Sequence, residues 1–413
     1  MTGSTSQDDR TFLIVGASLA GAKAAETLRA EGFAGHVILL GEEPELPYER
    51  PPLSKGYLLG TQERDKAFVH ERAWYDEQNI ELRTGLRAEK LDPAAHTVTV
   101  ATGERLDYDK LLLTTGSVVR RLDVPGAEQN GVRYLRRIEE ADALRDVLVE
   151  GARLIVIGAG WIGLEVTAAA RVRGAAVTLV EVASLPLQRV LGDELAQVFA
   201  DLHAEHGVDL RLNTGVREIT GHGGQVASVT LDDGTSLPAD AVVVGVGIRP
   251  AVDLAEAAGL AADNGVLADA ALRTSDPDIY AAGDVANMYH PLLNRRIRVE
   301  HWANALHGGP AAARSMLGQE VVFDRLPYFF SDQYDLGMEY SGYAEPGSYD
   351  QVVFRGDVPA REFVAFWLAD GRVLAGMNVN VWDVTDDIQR LVSSGSPVDP
   401  DRLANPAVSL ADL

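Results

Sequence analysis

Hydrophobic and polar positions along the chain set out one supersecondary unit twice. Thr11-Phe12-Leu13-Ile14-Val15 is a short apolar, β-branched run, the pattern of a buried strand. Gly16-Ala17-Ser18-Leu19-Ala20-Gly21 follows at once. Ala20, Ala24, Ala25 and Leu28 then recur at helical spacing, and Gly32 ends that helix. His36-Val37-Ile38-Leu39-Leu40 is the next strand, with Glu42 just past its end. The same order returns later in the chain. Leu154-Ile155-Val156-Ile157 is a strand, Gly158-Ala159-Gly160-Trp161-Ile162-Gly163 a turn, and Leu164 to Arg173 a helix stopped by Gly174. Ala176 to Val180 is the closing strand, with Glu181 at its end.

Such a unit carries specific chemistry. The first glycine permits the tight turn, the second lets the backbone approach a pyrophosphate, and the third lets helix and strand pack closely. The helix tip offers free N–H groups and partial positive charge to the phosphates. The terminal acid, about 20 residues past the third glycine, accepts hydrogen bonds from a ribose diol. A single copy is equally a tight turn of any α/β protein, but two copies in full context point to two dinucleotide sites. Gly16, Ser18, Leu19, Ala20, Gly21 and Glu42 would build one, and Gly158, Gly160, Ile162, Gly163 and Glu181 the other. Ser18 stands where the first copy should have its second glycine; it is small, and its hydroxyl is able to donate to a phosphate. A carboxylate at Glu181 binds a free 2′-hydroxyl and repels a 2′-phosphate, which favours NADH over NADPH. Arg189 either softens that preference or is a solvated loop arginine.

Composition narrows the partners. The 413-residue chain has a net charge of −24, which argues against nucleic acid or an anionic membrane. It has no cysteine, so disulfides, thiolate nucleophiles and Cys-held metals are excluded within it. His203 and His206 lie three apart on an expected helix, but no third ligand is in view; exposed helix histidines are the reading taken, and no metal site is expected. The polar opening Met1–Arg10 shows no signal peptide and reads as a disordered tail. The stretch Leu154–Ala170 contains three glycines and Glu165 and fails as a membrane span. A cytoplasmic protein is expected. Asp233-Gly234 reads as a hairpin turn, as does Asp370-Gly371 between strand-like Glu362–Leu368 and Val373–Val381. Asp386 to Ser394 reads as a helix closed by Gly395.

Two dinucleotide sites in one chain suggest a tightly held flavin and an exchanging nicotinamide. Around Pro47-Tyr48-Glu49-Arg50-Pro51-Pro52-Leu53-Ser54-Lys55 the sequence resembles the FAD-dependent pyridine-nucleotide reductases, in particular the NADH-dependent ferredoxin reductases of the putidaredoxin reductase and rubredoxin reductase types. Leu111–Gly116, Val244–Pro250, Thr274–Asp284, Glu300–Ala305 and Pro327–Asp335 stand in the order that family shows, and the resemblance runs from about Thr11 to the C-terminus.

The resemblance implies an α/β fold with two Rossmann-like, glutathione-reductase-like dinucleotide-binding domains and a C-terminal α+β domain. It divides the chain into a split FAD-binding domain (8–117 and 246–325), an inserted NADH-binding domain (118–245) and a C-terminal module (326–413). The last would cover the flavin and form a dimer or docking surface, with Trp367 and Trp382 as core. The implied cofactors are FAD and NAD. Lys55 would lie near the flavin and Glu165 would face it, both in catalysis; the plainer readings are a solvated lysine and a carboxylate at a helix N-terminus. Asp284 would bind the ribityl chain, or cap the segment starting at Val285. Arg50, Ala88, Thr115, Gly116, Arg136, Gly247, Gly283 and Trp302 join the cofactor-binding set, and His301 packs or acts near the flavin.

Without cysteine, electrons must leave the flavin directly. The implied acceptor is an iron–sulfur ferredoxin serving a cytochrome P-450 or a ring-hydroxylating oxygenase. Such ferredoxins are generally acidic, so a local basic patch is needed on this acidic chain. Arg295, Arg296 and Arg298 are the first candidates, with Arg120-Arg121 and Arg136-Arg137 second; pairing with the abundant carboxylates is the other reading. The competing functions are reduction of a quinone or an ascorbate radical, and redox sensing in the manner of apoptosis-inducing factor. A monomer or homodimer is expected.

Overall fold

The computed structural model describes residues 8–413, so most of the expected N-terminal tail lies outside the described residues. The chain forms two compact units. One ends its first segment at Glu49 and adds Arg64–Val118 and Arg249–Pro327; the other is Arg50–Glu63, Val119–Ile248 and Tyr328–Leu413.

The first unit is built on a parallel sheet of five strands, in the order Ile279–Ala281, Lys110–Leu113, Thr11–Val15, His36–Leu40 and Ile80–Arg83. Its central strands are continuous apolar runs because both faces are covered. Phe12, Leu13 and Ile14 are fully buried, each contributing about 1.5–3 kcal/mol. The first glycine helix is Leu19–Ala30. Against it lies the helix Trp302–Met316, at a separation that only glycine allows: a Cβ on Gly309 would strike the Ala20 carbonyl.

The second unit repeats the design. Its parallel sheet runs Asp209–Arg211, Ala176–Val180, Arg153–Ile157, Ala241–Val244, Val132–Arg133. The second glycine helix spans Trp161–Val172, so it begins inside the segment read as turn. Gly160 is its N-cap residue, and Gly163 already sits in its first turn.

In the same unit, Tyr328–Gln333, Leu336–Gly342, Arg372–Val379, Glu362–Ala369 and Gln351–Asp357 form an antiparallel sheet in that order. Asp370 and Gly371 turn between two of these strands with φ of 49° and 71°, the left-handed pair that a tight hairpin requires. Thr385–Ser394 is a helix ended by Gly395 at φ 56°. Asp233-Gly234 turns between the antiparallel strands Gln225–Leu231 and Ser236–Pro238. Trp367 is core, with its indole N–H donated to the Leu191 carbonyl at 3.2 Å. Trp382 is not core: it is 53% exposed.

Candidate functional site

Each glycine turn is shaped by backbone contacts that a side chain would block. Gly16 takes φ 123° and Gly158 φ 100°, in the left-handed region. A Cβ on Gly21 would strike the Gly16 carbonyl, and one on Gly163 the Gly158 carbonyl. Gly160 differs, since a Cβ there would meet nothing within 4 Å. That open space at a helix tip is the cradle a pyrophosphate needs, and glycine keeps it clear. Ser18 occupies the matching place as N-cap residue of the first helix, and its hydroxyl makes no capping bond. It therefore remains available to a phosphate. The residues fit two dinucleotides.

The acids at the strand ends differ. Glu42 is exposed. Glu181 accepts from the Ala159 N–H at 2.7 Å through one carboxylate oxygen and from the Ala183 N–H at 2.9 Å through the other. The first bond ties Glu181 to the glycine turn and the second to its own following segment, and each oxygen keeps a lone pair for a ligand hydroxyl. Arg189 is exposed on the short helix Gln188–Leu191, and Ile162 is 44% exposed on the helix tip.

Lys55 and Glu165 meet, as the family resemblance implied. Pro51 and Pro52 start a short 3₁₀ turn that ends at Ser54 and aims Lys55. Lys55 Nζ lies 2.8 Å from Glu165 Oε1, with the two side chains 15% and 3% exposed. Ser331 donates to the same Oε1 at 2.7 Å, and Ser54 donates to Oε2. The carboxylate thus has three donors, the condition under which a buried ion pair is sustained. Lys55 Nζ also lies 5.4 Å from the Phe330 ring centre.

In the first unit, Thr115 donates its hydroxyl to the Ala251 carbonyl at 2.8 Å, and Gly116 turns with φ 67°. Gly283, at φ 75°, precedes Asp284, whose Oδ2 accepts from Ser117 at 3.4 Å. Asp284 does not cap: Ala282 is the N-cap residue of the 3₁₀ turn Gly283–Val285. Trp302 donates its indole N–H to Glu49 at 2.9 Å. His301 is the N-cap residue of the helix that Trp302 begins, and burial pushes its imidazole down to about 4. Ala88 lies on an edge strand opposite Val100. In the second unit, Arg50 donates to the Arg136 carbonyl, and Gly247 turns with φ 99°.

The candidate docking arginines are partly committed to the fold. Arg296 is exposed but donates to the Ala268 and Asn287 carbonyls at 2.8 and 3.1 Å. Arg298 pairs with Glu300. Arg120 donates to the Ile248 carbonyl at 3.1 Å, and Arg121 lies over the Tyr134 ring at 4.3 Å. Arg137 pairs with Glu139 at 3.8 Å.

Residues 10–309 match the model of the pyridine nucleotide-disulphide oxidoreductase family, and residues 328–413 that of the reductase C-terminal domain. The chain belongs to the pyridine nucleotide-disulphide oxidoreductase family. Similar members include the ferredoxin–NAD(+) reductase component of the anthranilate 1,2-dioxygenase system of Burkholderia cepacia, 42% identical over 97% of this chain and 98% of that one. Putidaredoxin reductase of Pseudomonas putida is 37% identical over 97% and 96%. The solved covalent complex of putidaredoxin reductase with putidaredoxin contains a chain that superposes with a TM-score of 0.94, at 36% identity, covering 98% of this chain and 97% of that one.

Membership fits the doubled parallel sheets and glycine turns. Two features of the site were not read from the sequence. His203 is fully buried, not an exposed helix histidine, and its imidazole is pushed down to about 4, chiefly by burial. Ser331 and Gln333 are buried beside it; their alternation along one strand was the available signal. Among the described residues no cluster of metal-ligating side chains occurs, and no helix is long and apolar enough to cross a membrane.

Proposed function

We propose that this protein oxidises NADH and passes the electrons singly to an iron–sulfur ferredoxin that serves a cytochrome P-450 or a ring-hydroxylating dioxygenase. The observation that carries this reading is the repeated parallel sheet and glycine turn, one copy with its phosphate-facing position open at Gly160 and the other with an uncommitted hydroxyl at Ser18. The cysteine-free composition leaves direct electron exit as the only route within the chain. The named relatives are ferredoxin reductases matched over nearly their whole length.

FAD, when bound, accepts a hydride from NADH and releases electrons one at a time. The protein's part is to bind, orient and exclude water. Gly16, Ser18, Leu19, Ala20, Gly21 and Glu42 hold the FAD dinucleotide, with Arg50, Ala88, Thr115, Gly116, Arg136, Gly283, Asp284 and Trp302. Gly158, Gly160, Ile162, Gly163, Glu181, Arg189 and Gly247 hold NADH. Glu165 holds the Lys55 ammonium where the nicotinamide is to be oriented. The split domain with boundaries 8–117, 118–245, 246–325 and 326–413 belongs to the same reading. Arg295, Arg296 and Arg298 supply positive charge to an acidic ferredoxin.

Purified protein loaded with FAD should reduce a two-iron ferredoxin from a dioxygenase or cytochrome P-450 system at the expense of NADH, two ferredoxins per NADH. Turnover with ferricyanide but with none of a panel of such ferredoxins would contradict the proposal.

A further inference from the structure

We propose that His203 is a positioning residue for the Lys55–Glu165 pair, acting through a one-way series of hydrogen bonds across Gln333 and Ser331. The inference rests on the assignment of Lys55 and Glu165 given above.

The geometry is continuous. Tyr334 OH lies 3.3 Å from His203 Nδ1, and His203 Nε2 lies 2.9 Å from Gln333 Oε1. Gln333 Nε2 donates to Ser331 Oγ at 3.2 Å, and Ser331 donates to Glu165 Oε1 at 2.7 Å. His203, Gln333, Ser331 and Glu165 are 0%, 1%, 1% and 4% exposed, so no water competes for these bonds.

Each member has two states when taken alone, and its neighbour selects one. An ionised carboxylate only accepts, so Ser331 gives its single proton to Glu165 and must accept from the Gln333 amide nitrogen. That turns the Gln333 amide oxygen toward His203, whose Nε2 must then carry the proton. Burial lowers His203, so it remains neutral, and its bare Nδ1 accepts from the Tyr334 phenol, which burial keeps protonated. Every donor therefore points toward the carboxylate, and aligned bonds of this kind reinforce one another. A series running through an amide is unsuited to carrying a proton; what it does is fix where Glu165 Oε1, and so Lys55 Nζ, sits.

Two placements support a purpose beyond packing. Ser331 and Gln333 alternate on Tyr328–Gln333, so both reach the same side of the strand. Tyr334 follows with φ 56°, a left-handed conformation that bulky residues rarely take. There its ring stacks on His206 at 3.7 Å, while its hydroxyl reaches His203.

The test is a double-mutant cycle on the FAD-loaded protein, read by stopped-flow flavin reduction at saturating NADH. Gln333→Met keeps the side-chain length but removes both hydrogen bonds. It should lower the limiting rate about fivefold, the loss expected for one hydrogen bond. In the Lys55→Met background the same change should lower it no further, because the element it positions is gone. A purely structural role would slow both backgrounds alike, and that outcome overturns the proposal. So does an unchanged rate for Gln333→Met while Lys55→Met is slow. If Lys55→Met itself reduces at the normal rate, the assignment of the pair fails and takes the inference with it. Ser331→Ala, which removes a single hydroxyl, repeats the cycle should Gln333→Met not fold. Independently of activity, nitrogen-15 histidine spectra should show His203 neutral with its proton on Nε2 from pH 6 to 8. A proton on Nδ1 would overturn the proposed direction.

Discussion

Glu165 places a carboxylate where only 4% of the residue meets solvent, and burial of that kind costs several kcal/mol unless its oxygens find donors. Lys55, Ser331 and Ser54 are those donors. The pair was legible only through the family resemblance, because each residue taken alone reads as a solvated lysine or as a carboxylate at a helix N-terminus. Its supporting residues were not: His203 stands between Leu202 and Ala204 and one helical turn after Phe199 on Asp193–Glu205, a spacing on the buried face that the His203–His206 pair obscured. A pH effect follows. Burial holds the His203 imidazole at about 4, below its ordinary 6.5. The unfolded chain therefore takes up a proton on acidification before the folded one does. Stability from this group is complete above 6.5 and is lost as pH falls toward 4, by up to about 3 kcal/mol. Denaturant titrations of wild type and His203→Gln between pH 7 and 5 should show the variant's slope shallower by up to about one proton; equal slopes would contradict this. At Glu181, truncation to alanine removes the charge-assisted bonds from the Ala159 and Ala183 N–H groups and the proposed ribose acceptor. Its kcat/KM for NADH should fall about tenfold or more, with a smaller fall for NADPH; an unchanged ratio of the two would count against Glu181 as the selecting group.

The two glycine helices separate folding from binding. Gly163 and Gly160 lie three residues apart on one helix start, yet their surroundings differ. Gly163→Ala forces a methyl into the Gly158 carbonyl and should destabilise the protein by about 1–3 kcal/mol, read by thermal denaturation. Gly160→Ala meets no atom, so the melting temperature should hold while KM for NADH rises at least several-fold. A Gly160→Ala protein with normal KM would show that the phosphates do not pass there. Strand, turn, strand and acid were all readable from periodicity, because parallel strands buried on both faces are continuous apolar runs. The helix start at Trp161 was missed because three glycines in six residues look like turn, although two of them serve helix capping and packing. The close approach of Trp302–Met316 to Leu19–Ala30 had a sequence trace in Gly308-Gly309, but its partner is nearly 300 residues away in sequence.

For the whole molecule, the decisive quantity is charge. At −24 the protein should repel an acidic ferredoxin unless positive groups gather locally. Composition made this problem visible but not its solution, since it does not tell which arginines are spent internally; Arg298 is paired with Glu300, whereas Arg296 remains exposed beyond its two carbonyl bonds. Arg296→Glu should slow ferredoxin reduction several-fold and flatten its salt dependence, while NADH–ferricyanide turnover is kept. Unchanged ferredoxin kinetics would remove this patch from docking. This chain binds FAD and NADH and moves a hydride from the second to the first. Anaerobic stopped-flow mixing of the FAD-loaded protein with NADH, and separately with NADPH, is the sharpest check. NADH should bleach the flavin rapidly and NADPH much more slowly; a protein that retains no FAD, or a flavin that NADH leaves oxidised, would overturn this reading.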